Sequence, residues 1–479
     1  MPSCLSALAS SLRRSSHTAP SASQPRTQPI PQRDEKAALS SACHQMTAPH
    51  AACCDFSPLP AYAPPTEPTP LEGEMAVVAR ELEKNIAGMD AELRDLSVKV
   101  WDLHELGWEE FKTHDLFVKY LSGKKGWKVT PHAHGLETAF RAEFVHAPAS
   151  VRKSDIPCVG FCSELDALPG IGHACGHNLI AIAGVAAALS LAELLVARNK
   201  PGKVVLLGTP SEEKDGGKIN MLEAGAFEGM DASLMVHPTP TNTIGSFLAV
   251  VPVEVKYEGK TAHSGIAPWE GINALDAAVL AYNNISALRQ QIKPNCRVHG
   301  ILSGGDQWAP NIVPSHAALL YNVRAPSVAE LETLQARVEK CFRAAALATG
   351  CEVSVKWGAT YYDTRNSAPL SRAYRGIVKG MYGIDVDENP VSGSTDMGNV
   401  TYAMPAIHPC YAIKLANPTG DANHTVGFAA AAKTPEAHER TKEAATGIAT
   451  AAARVLLDEA FRREVHEEFD EWKKGQKAL

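Results

Sequence analysis

In the segment Ser163-Glu-Leu-Asp-Ala-Leu-Pro-Gly-Ile-Gly-His-Ala-Cys-Gly-His-Asn178, Cys175 and His177 stand two residues apart in a Gly-flanked turn, soon after Asp166 at the end of an apolar run. Ser211-Glu212-Glu213 closes a second apolar run, and His237 closes a third. Thiolate, imidazole and carboxylate donors gathered at strand ends suit Zn²⁺ or a similar divalent ion. A second carboxylate beside such an ion can take a proton from water, so the array points to amide hydrolysis by metal-activated water. Singly, each donor has an ordinary reading. A Cys-X-His pair is weak by itself, and acids at a helix start are favoured in any protein. His237 before proline, and His424 in Asp421-Ala-Asn-His-Thr425, also fit a turn and a loop. The weight comes from their order along successive strand ends.

The elements that must position them follow from the hydrophobic pattern. Residues 74–124 read as helical, 158–162, 203–207 and 233–236 as short buried strands, and 178–198 and 220–226 as helices. Strands alternating with helices predict an α/β domain with a mainly parallel sheet, whose ligands collect beyond the C-terminal strand ends. From residue 249 the texture changes: strand 249–257, helix 272–291, strands 298–302 and 317–323, helix 328–349 and strand 352–357. That order is a ferredoxin-like α+β unit inserted into the larger domain. The expected organisation is a disordered extension (1–73), a catalytic domain in two parts (74–249 and 364–479) and the insert (250–363). The second catalytic part ends in one long helix over 435–474.

Composition sets limits on this reading. With 479 residues, 45% hydrophobic and 21% charged, the chain has the make-up of a globular enzyme of two or three domains. A net charge of −7 speaks against nucleic acid as a partner. No run approaches the ~18 uninterrupted apolar residues of a membrane span, so no membrane partner is expected. The 11 cysteines follow no regular framework, which reads as reduced and cytoplasmic. The first residues, rich in Ser, Ala, Pro and Thr, read as disordered. Arg13, Arg14, Arg26 and Arg33 precede any acid, which leaves a mitochondrial transit peptide as the alternative.

Taken in order, several stretches carry a resemblance: Asp166-Ala-Leu-Pro169, His173-Ala-Cys-Gly-His177, Glu212-Glu213, Met235-Val-His237, Gly259-Lys-Thr-Ala-His-Ser264, Ser394-Thr-Asp-Met-Gly398 and Asn423-His-Thr425. Together they resemble the zinc aminoacylase/carboxypeptidase family of metallopeptidases, above all its amidohydrolase branch, which includes the Xaa-Arg (β-alanyl-lysine) dipeptidases. The resemblance spans residues 75–475.

It implies Cys175, His177, Glu213, His237 and His424 as metal ligands, with Cys175 bridging two ions as thiolate. It implies Glu212 as general base, and Asp166 as the group that orients a metal-bound His. His263, in the insert, would reach a partner subunit's active site, which implies a homodimer. Asn311, Arg324, Ser394 and Thr395 would contact a substrate carboxylate; Arg324 also suits a plain surface pair. Asp306 and Trp308 would edge the pocket or merely form a turn. Glu164 stands where much of the branch has Asp and the wider family a metal-binding His, and Asn178 replaces an Asp, so one or two ions remain open. Zn²⁺ is the expected ion, with Mn²⁺ or Co²⁺ able to replace it. The implied activity is hydrolysis of small dipeptides with a free carboxylate. The rivals are an N-acyl-amino-acid amidohydrolase and a catalytically idle metal-binding homologue, the latter disfavoured by intact Glu212 and His263.

Overall fold

The computed structural model describes residues 67–149, 151–152, 156–305 and 308–476. The extension up to residue 66, and Asp306, lie outside the described residues. Residues 67–72 carry no regular structure, yet Thr69 N–H donates to the Arg372 carbonyl at 3.1 Å, so packed chain begins ahead of residue 74.

Six strands form the first sheet: β1 (Trp127–Pro131), β2 (Phe140–His146), β3 (Cys158–Glu164), β4 (Gly202–Thr209), β5 (Ala232–Leu234) and, far along the chain, β11 (Ala406–Ile407). Their order is β1-β2-β4-β3-β5-β11. Pairings β4–β3, β3–β5 and β5–β11 are parallel, whereas β1–β2 and β2–β4 are antiparallel. The sheet is therefore mixed, and the expectation of a mainly parallel one is corrected by an antiparallel edge. In β2, Phe140, Ala142 and Phe144 point inward while Arg141 and Glu143 alternate outward, a half-buried edge-side pattern.

All seven residues of β3 are buried, as a strand covered on both faces requires. On it lies the helix His177–Ala197, apolar on every side and packed among β3, β4 and the helices Gly73–Gly88, Asp90–Leu103 and Pro435–Leu457. Its length and composition would serve a membrane span, but 89% of its apolar window is buried inside the protein, which makes it a core helix. Gly184 permits this contact, since a Cβ there would run into Ser163 Oγ.

The second layer contains β7 (Ala249–Glu258), β8 (Arg297–Ser303), β9 (His316–Ala325) and β10 (Glu352–Trp357), all antiparallel, in the order β10-β7-β9-β8. The helices Ala274–Leu288 and Val328–Thr349 cover one face, over a core that includes Val251, Val253, Val255, Tyr257, Leu319, Tyr321, Val323 and Phe342. Because side chains alternate along a strand, Val250, Pro252, Asn322 and Arg324 fall on the opposite face. A short parallel pair, β6 (His237–Thr239) with β12 (Cys410–Ala412), lies beyond the end of β5.

The long terminal helix expected over 435–474 is two helices, Pro435–Leu457 and Glu459–Gln476. Asp458 is extended between them (φ −114°, ψ 99°), and its Oδ1 accepts the Phe461 N–H at 3.0 Å, capping the second helix.

Candidate metal centre

The donors converge because each follows a strand end or a turn that only certain backbones can make. Gly176, at φ +80°, turns the chain from Cys175 into the core helix that begins at His177. A Cβ on Gly176 would press on Pro238, so glycine also lets the β6 segment approach. Glu212 and Glu213 follow β4, and His237 opens β6 with its N–H on the Pro409 carbonyl at 2.9 Å. His424 is held at φ +69°, its N–H donating to the Ala174 carbonyl at 2.8 Å.

Among the described residues four sets of three donors result, Cys175/His177/His237, Cys175/Glu213/His424, His177/Glu212/Glu213 and Glu164/Glu212/Asp396, and Cys175 belongs to the first two. Cys175 Sγ lies 3.4 Å from His237 Nε2, and His424 Nε2 lies 3.2 Å from Glu213 Oε1. His177 Nε2 is 3.3 Å from Glu164 Oε2 and 3.7 Å from Glu213 Oε1. Ligands bound at ~2.0–2.3 Å on tetrahedral corners stand roughly 3.3–3.6 Å apart, so these separations fit a shared divalent ion. His177 Nε2, Glu164 Oε2 and Glu213 Oε1 are moreover buried without a hydrogen-bond partner, which is how ligand atoms facing a cation would stand.

Ring orientation agrees with that role. His177 Nδ1 faces Asp166 Oδ1 at 3.1 Å, leaving Nε2 towards the other donors. His237 Nδ1 faces the Pro238 carbonyl at 2.8 Å, which likewise frees Nε2. Burial holds the His237 pKa down to about 4, so its ring is neutral and can donate a lone pair. Asp166 also accepts the Glu213 N–H through Oδ2 at 2.9 Å, so one carboxylate fixes a ring and a ligand's backbone.

Glu212 is buried, and burial, then Glu164, Glu213 and Asp396, raise its pKa well above the carboxylate range. Burial also acts to raise Glu213, but the neighbouring His424 and His177 rings hold it below its usual value. Behind them Lys218 Nζ meets Glu164 Oε1 and Asp396 Oδ1, each at 2.6 Å, in a fully buried triad.

Cys175, Glu212, Glu213, His237 and His424 open onto a cleft of about 470 Å³, whose far wall carries Asn322 and Arg324 from β9, with Ser394 and Thr395. Arg324 donates to Ser394 Oγ at 2.7 Å. His263 and Asn311 are not in this cleft. They are exposed on two adjoining loops, where Ser264 N–H donates to the Asn311 carbonyl at 3.0 Å. Trp308 donates its Nε1–H to the His316 carbonyl and packs on the second-layer core rather than lining the cleft. Asn178 donates to Ser97 Oγ and the Ala432 carbonyl. Sequence reasoning missed Lys218, Tyr361 and Glu110. Tyr361 lines the cleft and donates to the Glu212 carbonyl at 2.6 Å. A lysine after two glycines gave the only hint of the first, and nothing local marked the other two.

Residues 160–450 match the family model described as peptidase family M20/M25/M40. The chain belongs to this family. Among M20 relatives it is 44% identical over 424 residues to the Xaa-Arg dipeptidase of Mus musculus, covering 86% of this chain and 96% of that protein. It is 45% identical to the Xaa-Arg dipeptidase of Homo sapiens, covering 78% and 88%. A more distant relative is a p-aminobenzoyl-glutamate hydrolase polypeptide of Escherichia coli, 25% identical over 78% of this chain and 91% of the relative. Two solved structures share the M20 fold. A dinuclear metal-binding M20 peptidase from Bacillus subtilis gives a TM-score of 0.57 at 20% identity, covering 77% of this chain and 99% of that one. An aminobenzoyl-glutamate utilization protein from Klebsiella pneumoniae gives 0.59 at 20% identity, covering 79% and 98%. This M20 chain is a metal-dependent hydrolase of amide bonds, of the dipeptidase/amidohydrolase kind.

Proposed function

We propose that this M20 peptidase hydrolyses small dipeptides with a free carboxylate, basic C-terminal residues first among them. The observation that carries the reading is the pair of donor triads sharing Cys175, with buried Glu212 beside them and Arg324 across the cleft. Similarity to the Xaa-Arg dipeptidases supports the basic preference. Zn²⁺ is our first choice of ion, held by Cys175, His177, Glu213, His237 and His424; the donor set is soft enough for it. When bound, such an ion supplies a water of pKa near ~7 and polarises the scissile carbonyl.

Glu212 takes the proton from the attacking water and returns it to the departing amine. A buried carboxyl with raised proton affinity suits both halves of that task. Asp166 keeps His177 and the Glu213 backbone in place. Arg324, steadied by Ser394, grips the substrate carboxylate, with Thr395 and Asn322 along the same wall.

His263 and Asn311, we infer, serve a partner's cleft in a homodimer built through the second layer, which then acts as dimerisation domain and lid. His263 Nδ1 accepts the N–H groups of Gly265 and Ile266, each at 3.2 Å, so Nε2 carries the proton outward as a donor for a developing oxyanion. The surrounding loops expose Ile266 (70%) and Trp269 (77%), apolar surface of the kind an interface covers. Among the described residues the cysteines are free thiols, which supports the cytoplasm or another reducing compartment.

The deciding experiment measures hydrolysis by the Zn²⁺-loaded protein and its Glu212→Gln variant on Xaa-Arg, Xaa-Lys, neutral dipeptides and N-acyl amino acids. The variant keeps its metal and loses ~10² or more in turnover. Preference for N-acyl substrates would transfer the assignment to an aminoacylase-like enzyme. For the shared site, mixing His263→Ala with Glu212→Gln restores activity; verified mixed dimers without recovery rule it out.

A further inference from the structure

The backbone around Glu212 is held at three consecutive points. Ser211 N–H donates to Glu110 Oε1 at 2.7 Å, the Glu212 carbonyl accepts from Tyr361 Oη at 2.6 Å, and Glu213 N–H donates to Asp166 Oδ2 at 2.9 Å. Tyr361 faces the cleft and Asp166 the metal ligands. Glu110 touches neither: it is fully buried, in the loop between the helices Asp90–Leu103 and Phe111–Ser122. Its second oxygen accepts the Thr138 hydroxyl at 2.8 Å, so both carboxyl oxygens are engaged by distant parts of the chain.

The first of the three points is also the strained one. Ser211 sits at φ +54°, a left-handed conformation that a serine keeps only when its surroundings impose it. The loop 104–110 imposes it from two sides. Gly107 lies so close that a Cβ would meet Ser211 Oγ at 2.5 Å, and Glu110 captures the Ser211 amide. The same loop is fastened to the strand end that bears Asp166: Ala167 N–H donates to the Glu105 carbonyl at 2.7 Å, and Leu106 pairs with Ala167. One loop thus sets the spacing between the Asp166 end of β3 and the Glu212 end of β4.

We propose that Glu110 is a positioning residue for the hydrolysis, its carboxyl oxygen holding the Ser211 amide and with it the left-handed turn that aims Glu212 into the cleft. This rests on the reading of Glu212 as general base. Burial, and secondarily Asp166, push the Glu110 carboxyl up to about 7. The clamp survives that titration, because in the neutral acid Oε1 still accepts from Ser211 while Oε2–H turns to Thr138. Glutamine reproduces this arrangement. Alanine abolishes it and strands a buried N–H.

Glu110→Ala and Glu110→Gln are compared with wild type on the amide that wild type cleaves fastest, per mole of folded, metal-loaded protein. Misplacement of a general base costs turnover rather than binding, so Glu110→Ala lowers kcat by about 10–100-fold with KM within about threefold, while Glu110→Gln stays within about threefold of wild type in both. Metal content is unchanged in each. Amide hydrogen exchange supplies a readout independent of turnover: protection of segment 209–216 falls in Glu110→Ala, is kept in Glu110→Gln, and does not change in the helix His177–Ala197. Wild-type kcat in Glu110→Ala, equal damage in both variants, or unaltered exchange at 209–216 overturns the proposal. Should the alanine variant not fold, Glu110→Asp, one methylene shorter, takes its place under the same criteria. A wild type silent on every amide would sink the reading of Glu212, whereas the exchange result judges the clamp itself.

Discussion

Lys218 Nζ lies 2.6 Å from Glu164 Oε1, with both side chains fully enclosed and Asp396 Oδ1 at the same distance on the other side of the ammonium. Burial alone would raise the Glu164 pKa, but Lys218 and the nearby imidazoles hold it down to about 2, so the carboxylate is ionised. Removing one partner of such a pair leaves uncompensated buried charge. Lys218→Met is accordingly expected to lose ~3–5 kcal/mol of stability, read as a shifted midpoint in urea. A variant as stable as wild type would show that the triad holds nothing together.

Cys175 enters two of the donor sets, so its loss should be felt twice. Cys175→Ala is expected to bind less than one ion per chain after dialysis, while His424→Ala, whose residue belongs to one set, is expected to retain more metal. Elemental analysis beside a protein assay separates the two. Equal metal content in both variants would refute a thiolate common to two ions.

Arg324 faces the cleft with its guanidinium on Ser394 Oγ. Charge-assisted hydrogen bonds to a carboxylate contribute roughly 1.5–3 kcal/mol, so Arg324→Ala should raise KM about 10–100-fold for dipeptides with a free C-terminus. C-terminally amidated dipeptides should feel no further loss in the variant. If free and amidated substrates suffer alike, Arg324 does not read the carboxylate.

His466 and Asp231 fasten the last helix to the first sheet. His466 Nε2 lies 2.9 Å from Asp231 Oδ1, whose Oδ2 accepts the Cys158 N–H at 2.7 Å. The hydrogen bond to Asp231 raises the histidine above its ordinary 6.5. Burial acts to raise the aspartate, but His466 and the Cys158 amide hold it below 3.8. A raised base stabilises fully below its unfolded pKa and loses that effect as pH climbs through its folded value. A depressed acid stabilises above its unfolded pKa and loses it as pH falls through the folded one. The pair is therefore strongest between about pH 4 and 6.5. The Tm gap between wild type and His466→Gln should be wider at pH 5.5 than at pH 9. A gap independent of pH would leave the ion pair without a role.

Much of this was legible locally. Apolar runs ending in donors marked β3, β4 and β5, and the second layer's pattern gave Val328–Thr349 and Glu352–Trp357 to the residue. What escaped was long-range or disguised. Arg141 and Glu143 disguise β2 as a polar stretch. Asp458 interrupts a helix whose apolar period continues past it. Lys218 and Glu110 are charged residues whose burial is compensated by partners 54, 178 and 101 positions away. No local pattern announces a buried charge. Only the partners explain it.

Five carboxyl groups, those of Glu164, Asp166, Glu212, Glu213 and Asp396, are gathered around the N-terminal end of the apolar core helix, with Lys218 among them. Lys218 and the raised proton affinity of Glu212 offset only part of that acid, and a bound divalent cation would offset the rest. Metal binding to the folded chain is thereby expected to stabilise it. Chains synthesised under metal starvation should be cleared by proteases before they accumulate as inactive enzyme, so abundance itself, and not only activity, should follow the metal available.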